Sequence, residues 1–208
     1  MAQYTPIEWA HHTFNSWWGC TKVNQDCEHC YAWHFATVRL GLTIWGPGAD
    51  SRFFENKHWA EPIRWNKKAR ERNERHRVFC ASMADVFEDR QDLQSQRERL
   101  WKLIEVTPHL DWLLLTKRPQ NIQDMLPRLW IDDPRHNVWL GTTCGHQKAA
   151  DQFIKHLTSV PARLRFLSVE PLLAPVRLDL SGIDWVICGG ESGPKSRPMN
   201  PGWGARSA

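Results

Sequence analysis

The chain has 208 residues, 41% of them hydrophobic, the size of one large domain or two small ones with material for a sizeable core. A formal net charge of +4 and a pI near 8.8 permit a polyanionic partner without requiring one. The opening MAQYTPIEWAHH has no basic region followed by an apolar run, and the longest strongly apolar run, Trp112 to Leu115, is far too short to span a membrane. No repeat, low-complexity tract or linker divides the chain, so one cytoplasmic domain over residues 1–208 is expected.

His12 to Trp18 (HTFNSWW) alternates imperfectly and reads as a short strand. It feeds GCTKVNQDCEHCYA, residues 19–32, which places Cys20, Cys27 and Cys30 in the pattern C-x6-C-x2-C. Three thiols this close are satisfied by sharing a metal ion or an iron–sulfur cluster, because Cys thiolates hold both. Unligated thiols are the plainer alternative. A closed structural zinc site takes a fourth ligand, for which His11, His12, His29 and His34 are candidates; an open fourth position is the mark of chemistry. Spacing alone leaves a Cys3His zinc site and a [4Fe–4S] cluster both open. With six cysteines, three of them clustered, metal binding fits better than a disulfide framework.

A helix is expected from Tyr31 to about Leu40, stopped by Gly41, with a loop at Gly46-Pro47-Gly48. Residues 57–77 carry Arg64, Lys67, Lys68, Arg70, Arg72, Arg75 and Arg77 against Glu71 and Glu74. Such a run is ordinarily a solvated helix face; a phosphate-gripping patch is the alternative. Of thirteen tryptophans, seven precede residue 66; core packing is the first expectation and base stacking the second.

Further along, Val78 to Met83 reads as a strand running into Ala84-Asp85. Helix signals fill 90–106. The apolar run Asp111 to Thr116 suits a strand buried on both faces and ends in Lys117-Arg118-Pro119. Asn137 to Thr142 repeats the design, followed by a helix near 147–157. Leu164 to Val169 ends in Glu170-Pro171, and Asp184 to Cys188 opens into Gly189-Gly190-Glu191. Cys80, Cys144 and Cys188 fall within or just after three different strands; buried, inert thiols are the first expectation and a second metal site the alternative.

Strands spaced for one βα unit each predict a parallel sheet with right-handed crossovers, which a doubly wound sheet and a barrel both satisfy; the polar strand ends favour the barrel, and the fold class expected is α/β, a (βα)6 partial barrel of the TIM type. The strand ends carry polar groups, as does the C-terminal rim where such barrels build their sites. The candidate cofactor contacts are Ser82, Asp85, Lys117, Thr142, Glu170, Gly189, Gly190 and Glu191, with the cysteine loop on the same rim. Backbone N–H groups of Gly189-Gly190 suit a carboxylate or phosphate; a plain tight turn suits them as well.

A three-cysteine loop after the first strand of such a barrel resembles the radical S-adenosylmethionine superfamily. The stretches IEWAHHTFNSWWGC, CEHCYA, SMADVF, LLTKRPQ, VWLGTT, SVEPLL and WVICGGESGPKSRPMNP are similar, more closely, to a phage- and bacteria-encoded three-cysteine-motif family of unknown function. The superfamily resemblance implies that Cys20, Cys27 and Cys30 ligate a [4Fe–4S] cluster whose open iron chelates S-adenosylmethionine, that an external electron donor is needed, and that the substrate is unidentified. Three departures stand out. The commonest superfamily spacing is C-x3-C-x2-C, the residue before the third cysteine is often aromatic where this chain has His29, and Cys144-Gly145-His146 stands where a Val-Glu-Asn stretch is expected. The chain stops at GARSA, so the resemblance also implies a copy shortened at its C-terminus. The competing expectation is a nucleic-acid-binding protein with a structural zinc and no catalysis.

Overall fold

The computed structural model describes Thr5 and residues 7–203. Its strands are β1 (His12–Thr13), β2 (Trp17–Trp18), β3 (Arg52–Phe53), β4 (His76–Cys80), β5 (Leu110–Thr116), β6 (Val138–Thr143), β7 (Leu164–Val169) and β8 (Trp185–Cys188). Among the described residues, six of them form one parallel sheet in the order β1-β4-β5-β6-β7-β8, curled into a half-barrel. The edges β1 and β8 are not paired with each other, so the sheet is a crescent and not a ring.

α1 (Tyr31–Trp33) borders the concave side, and the helices on the convex side include α2 (Asn56–Trp59), α3 (Glu61–Glu71), α4 (Gln94–Glu105), α5 (Ile122–Met125), α6 (Arg128–Asp132) and α7 (Gln147–Ser159). Side chains alternate across a strand, and the two faces separate cleanly. Val78, Cys80, Trp112, Leu114, Leu140 and Leu167 pack outward against Leu100, Ile104, Ile154 and Leu157. Leu113, Phe166 and Ile187 face inward with Trp9, Leu115, Trp139 and Trp185. Gly141 is required by this inner packing: a Cβ there would run into the Phe166 ring.

The segment expected as one strand over 12–18 is two. Asn15 interrupts it by placing side-chain bonds where a ladder would continue: Oδ1 accepts from Met83 N (2.7 Å) and Nδ2 donates to Ser82 Oγ (3.0 Å). Beyond it, β2 leaves the sheet and pairs antiparallel with β3, a strand the sequence did not announce. β4 starts two residues earlier than expected and ends at Cys80, leaving 81–85 as a loop. The helix after the cysteines makes one α turn and then widens into a π-helix over His34–Arg39 before Gly41, at φ +65°, ends it.

The basic run forms α3 and the start of β4, at the opposite end of the sheet from the cysteines. Arg75 pairs there with Asp111 (2.6 Å), and Arg77 lies over the Trp185 ring. Trp17, Trp112 and Trp130 are fully buried, and Trp59 and Trp65 nearly so. Among the described residues no helix is long and apolar enough to cross a membrane. The terminal GARSA lies outside the described residues.

Candidate cofactor and substrate cavity

The concave side of the crescent holds a cavity of about 880 Å³. Cys20, Cys27 and Cys30 line it together with Ser82, Asp85, Lys117, Glu170, Gly190 and Glu191. Thr142 does not: it is fully buried, and its hydroxyl donates to Thr116 O (3.0 Å) on the convex side, while its neighbour Thr143 faces inward. Gly189 stands beside the cavity wall, where a side chain would strike the Glu170 carboxylate, and its N–H is used by Val169 O (3.2 Å).

The cysteine loop is fixed at three points by charged or polar side chains. At its start, Thr21 N donates to Glu88 Oε1 (3.1 Å), and Arg118 donates to Thr21 O (2.7 Å) while its other terminal nitrogen lies 3.8 Å from Cys20 Sγ. Asp85 orients Arg118 (3.0 Å) and also accepts from Phe87 N, Thr116 Oγ1 and Lys117 N. Its acceptor capacity is spent inside the protein, which makes it a positioning group. Burial works against the Arg118 charge, but Asp85, Cys20 and Glu88 outweigh it and hold the guanidinium ionised.

In the middle, Asn24 caps the tight turn Gln25–Cys27 by accepting from Asp26 N (2.9 Å). Buried Asp26 accepts from Gly145 N (3.3 Å) and faces His146 Nε2 at 3.8 Å. A Cβ on Gly145 would come within 2.5 Å of Asp26 Oδ1, so glycine is what lets the loop dock here. Burial pushes the Asp26 carboxyl above its usual range, against the opposing pull of His146, Lys117 and the Gly145 amide.

At its end, Arg197 reaches Glu28 Oε2 (3.1 Å), Gln25 O (3.0 Å) and both oxygens of Glu191. Hydrogen bonding from Arg197 holds the Glu191 carboxyl below the usual range. His29 Nδ1 bonds Lys195 O, so residues 191–197 lie across the loop as a strap. Tyr31 donates to Ser82 O (2.8 Å).

Glu170 differs from these. It lines the cavity without a hydrogen bond or ion pair among the described residues, and burial alone raises its pKa. Neither Lys117, which donates to Thr143 Oγ1 (3.3 Å), nor Arg118 serves it.

All six cysteines are free; Cys80 and Cys144 are buried as expected, while Cys188, at the end of the edge strand β8, is exposed. Burial, then Asp85 and Glu88, push the Cys20 thiol up, with Arg118 opposing; a bound cation reverses that balance, since a coordinating thiol is deprotonated outright. Cys27 Sγ accepts from Val23 N (3.5 Å). Among the described residues no three His, Cys, Asp or Glu side chains stand close enough together to hold an ion, so the expected meeting of the three sulfurs at a common point is not formed, nor is a Cys3His set. Two of the thiols make weak contacts of their own, Cys20 with Arg118 and Cys27 with the Val23 amide. His11 and His12 are committed at the far end of β1, to Arg77 N and to His76. In kind and in place the donors nevertheless fit an iron–sulfur cluster: three free thiols border one cavity, with an N–H and a guanidinium facing sulfur.

Asn15, Asp26, Arg118, Thr143 and Arg197 shape the site more than their sequence setting suggested. Asn15 had a signal in the broken alternation of HTFNSWW, and Asp26 had only its place between two cysteines.

Three solved structures resemble the chain, all of spore photoproduct lyase mutants. One, with bound AdoMet and dinucleoside spore photoproduct, is 14% identical with a TM-score of 0.51 and matches 79% of this chain and 47% of that one. A second, also 14% identical, has a TM-score of 0.54 over 82% of this chain and 49% of the other. The chain thus spans about half the length of the structures it matches, and at this identity the likeness is one of fold. No curated protein matches it. A family model does, over residues 4–207: the chain belongs to the family described as protein of unknown function (DUF5131).

Proposed function

We propose that the protein is a radical S-adenosylmethionine-type enzyme acting on an unidentified substrate in the concave cavity. The observation that carries this reading is that three free thiols on a rim loop share one chamber with Glu170, a carboxylate without a partner among the described residues. Cys20, Cys27 and Cys30 would hold a [4Fe–4S] cluster. Bound there, the cluster would supply the electron that breaks the sulfonium C–S bond of S-adenosylmethionine, giving methionine and a 5′-deoxyadenosyl radical that takes a hydrogen atom from substrate. The chain's own residues orient and enclose. Arg118, Asp26 and Arg197 set the loop, Gly190 borders the pocket, and Glu170 is the acceptor for a cofactor amino or hydroxyl group, because a buried carboxylate needs a donor. Glu191 acts through Arg197. The fold of spore photoproduct lyase, one structure of which contains AdoMet, supports the reading. It requires an external reductant and, in keeping with the absence of any described membrane-crossing helix, a cytoplasmic setting.

The test is anaerobic reconstitution with iron, sulfide and zinc analysis, followed by an assay for 5′-deoxyadenosine. Brown protein with about four irons per chain, lost on Cys→Ala at position 20, 27 or 30 and kept on Cys80→Ala, is expected. Glu170→Gln should weaken S-adenosylmethionine binding by about tenfold, the loss of one charge-assisted hydrogen bond. Colourless protein with one zinc and no cleavage product overturns the reading and favours the structural-zinc alternative.

A further inference from the structure

Metal binding at the cysteine loop requires a movement. Among the described residues no three ligating side chains stand close enough together to hold an ion, so the loop has to shift for Cys20, Cys27 and Cys30 to share one. Its three clasps are not equally able to give. The first and last are made at full strength: Glu88 and Arg118 on Thr21 at 3.1 and 2.7 Å, and Arg197 on Gln25 O and Glu28 at 3.0 and 3.1 Å. The middle one has slack. Gly145 N reaches Asp26 Oδ2 at 3.3 Å, and His146 Nε2 faces Asp26 Oδ1 at 3.8 Å, beyond hydrogen-bond reach.

Both atoms facing that gap are unsatisfied. Asp26 Oδ1 and His146 Nε2 are buried from water and have no hydrogen-bond partner among the described residues. The Asp26 side chain is fully buried and that of His146 is 12% exposed. The helix fixes where the proton sits. His146 is the N-cap of α7, and its Nδ1 accepts from Ala149 N at 3.3 Å. An accepting ring nitrogen carries no proton, so the neutral imidazole holds its proton on Nε2, the atom turned to the carboxylate. A donor and an acceptor thus stand opposed about 1 Å short of a bond, and leaving both unmade in a buried place is costly. Position 146 is also where an asparagine is expected from the sequence. Asparagine caps a helix well, but its shorter side chain has no atom in the place of Nε2. Histidine keeps the cap and adds a donor on the far side of the ring.

We propose that His146 is a positioning residue for the cysteine loop: as the loop takes up its metal, Asp26 closes on His146 and the Nε2–H···Oδ1 hydrogen bond forms. This rests on the reading that Cys20, Cys27 and Cys30 are metal ligands. Asp26 adjoins Cys27, so holding its carboxylate holds the backbone that carries a ligand, in the way outer hydrogen bonds orient the ligands of metal sites.

Titration of the metal-free protein with Co2+ against a competing chelator, followed by the thiolate absorption that Cys27→Ala should abolish, tests it. His146→Asn keeps the cap and deletes the Nε2 donor. It should bind Co2+ about tenfold more weakly than wild type, with thermal unfolding of the metal-free protein unchanged. Asp26→Ala should cost less Co2+ affinity in the His146→Asn background than in wild type, because the two side chains act through one bond. Nitrogen NMR of wild type should show the Nε2–H tautomer throughout, its proton moving downfield and exchanging more slowly once Zn2+ is bound. Equal Co2+ affinity in His146→Asn, or a matching loss of stability in the metal-free protein, overturns the proposal. If circular dichroism shows His146→Asn unfolded, the wild-type spectrum decides, and an Nε2 proton unmoved by Zn2+ overturns it. Wild type that takes up no Co2+ on its thiols overturns the metal reading too, which separates that failure from failure of the His146 contact alone.

Discussion

The sheet and the cysteine loop are held in place by different physics. β4 to β7 are joined by backbone ladders and buried on the convex face by Trp112, Leu114, Leu140 and their helix partners. Residues 20–30 have almost no regular structure, and side chains from elsewhere bond to their backbone: Glu88 and Arg118 at Thr21, Arg197 at Gln25. Stability is therefore spread over many contacts in the sheet, and geometry is concentrated in a few clasps at the loop. Substitutions should separate the two.

The largest effect is expected in the sheet. Trp112→Ala removes a fully buried ring and its bond to Thr107 Oγ1, and should cost about 3–5 kcal/mol in urea unfolding. Nearly as large, Arg118→Ala leaves Asp85 and Glu88 buried without their cation, about 3 kcal/mol by breaking a buried pair. Unlike Trp112→Ala, it should also speed amide exchange at residues 20–22 beyond that of the sheet. A smaller loss, about 1 kcal/mol, is expected for Arg197→Ala. Its signature is faster exchange at Gln25–Glu28 with the melting of β5 and β6 unchanged; uniform acceleration would erase the distinction between clasp and sheet.

The smallest effect is one of pH. Burial lowers the pKa of His11 and His58, which pack beside β1, below 6.5. The unfolded chain then binds more protons than the fold as pH drops past 6.5, so stability should decline from there toward the folded values. The Glu191 pKa is lowered as well, which for an acid favours the fold: its stabilisation is present above 4.5 and lost as pH falls through its depressed value. Thermal melts should show a histidine step in wild type and Arg197→Ala alike, and an acid step reduced in Arg197→Ala.

Much of the sheet could be read from apolar runs, and Leu164–Val169 has the bounds expected of it. The first strand could not, because Asn15 exchanges a ladder for side-chain bonds to residues 82 and 83, and no local pattern encodes that choice. At the site, residue types located the chamber but not the pairings within it. Asp85 and Glu191 are spent on arginines far away in sequence or across a turn, while Glu170, chemically alike, has no partner among the described residues. Thr142 and Thr143 show the limit most simply: alternation guarantees that one faces inward, but the phase is set only when Trp139 and Gly141 take the concave side.

That the sheet is a crescent has a mechanical consequence. A closed ring of strands has a circumference fixed by its hydrogen bonds, and widening it means breaking a ladder. Here β1 and β8 are not hydrogen-bonded to each other among the described residues, so spreading the sheet at that gap breaks no ladder. Resistance to dilation comes instead from what borders the opening, including Trp9 with its edge contact to Trp185 at 6.4 Å. The upper size of what the chamber accepts is thus set by a few aromatic contacts and not by the strand count.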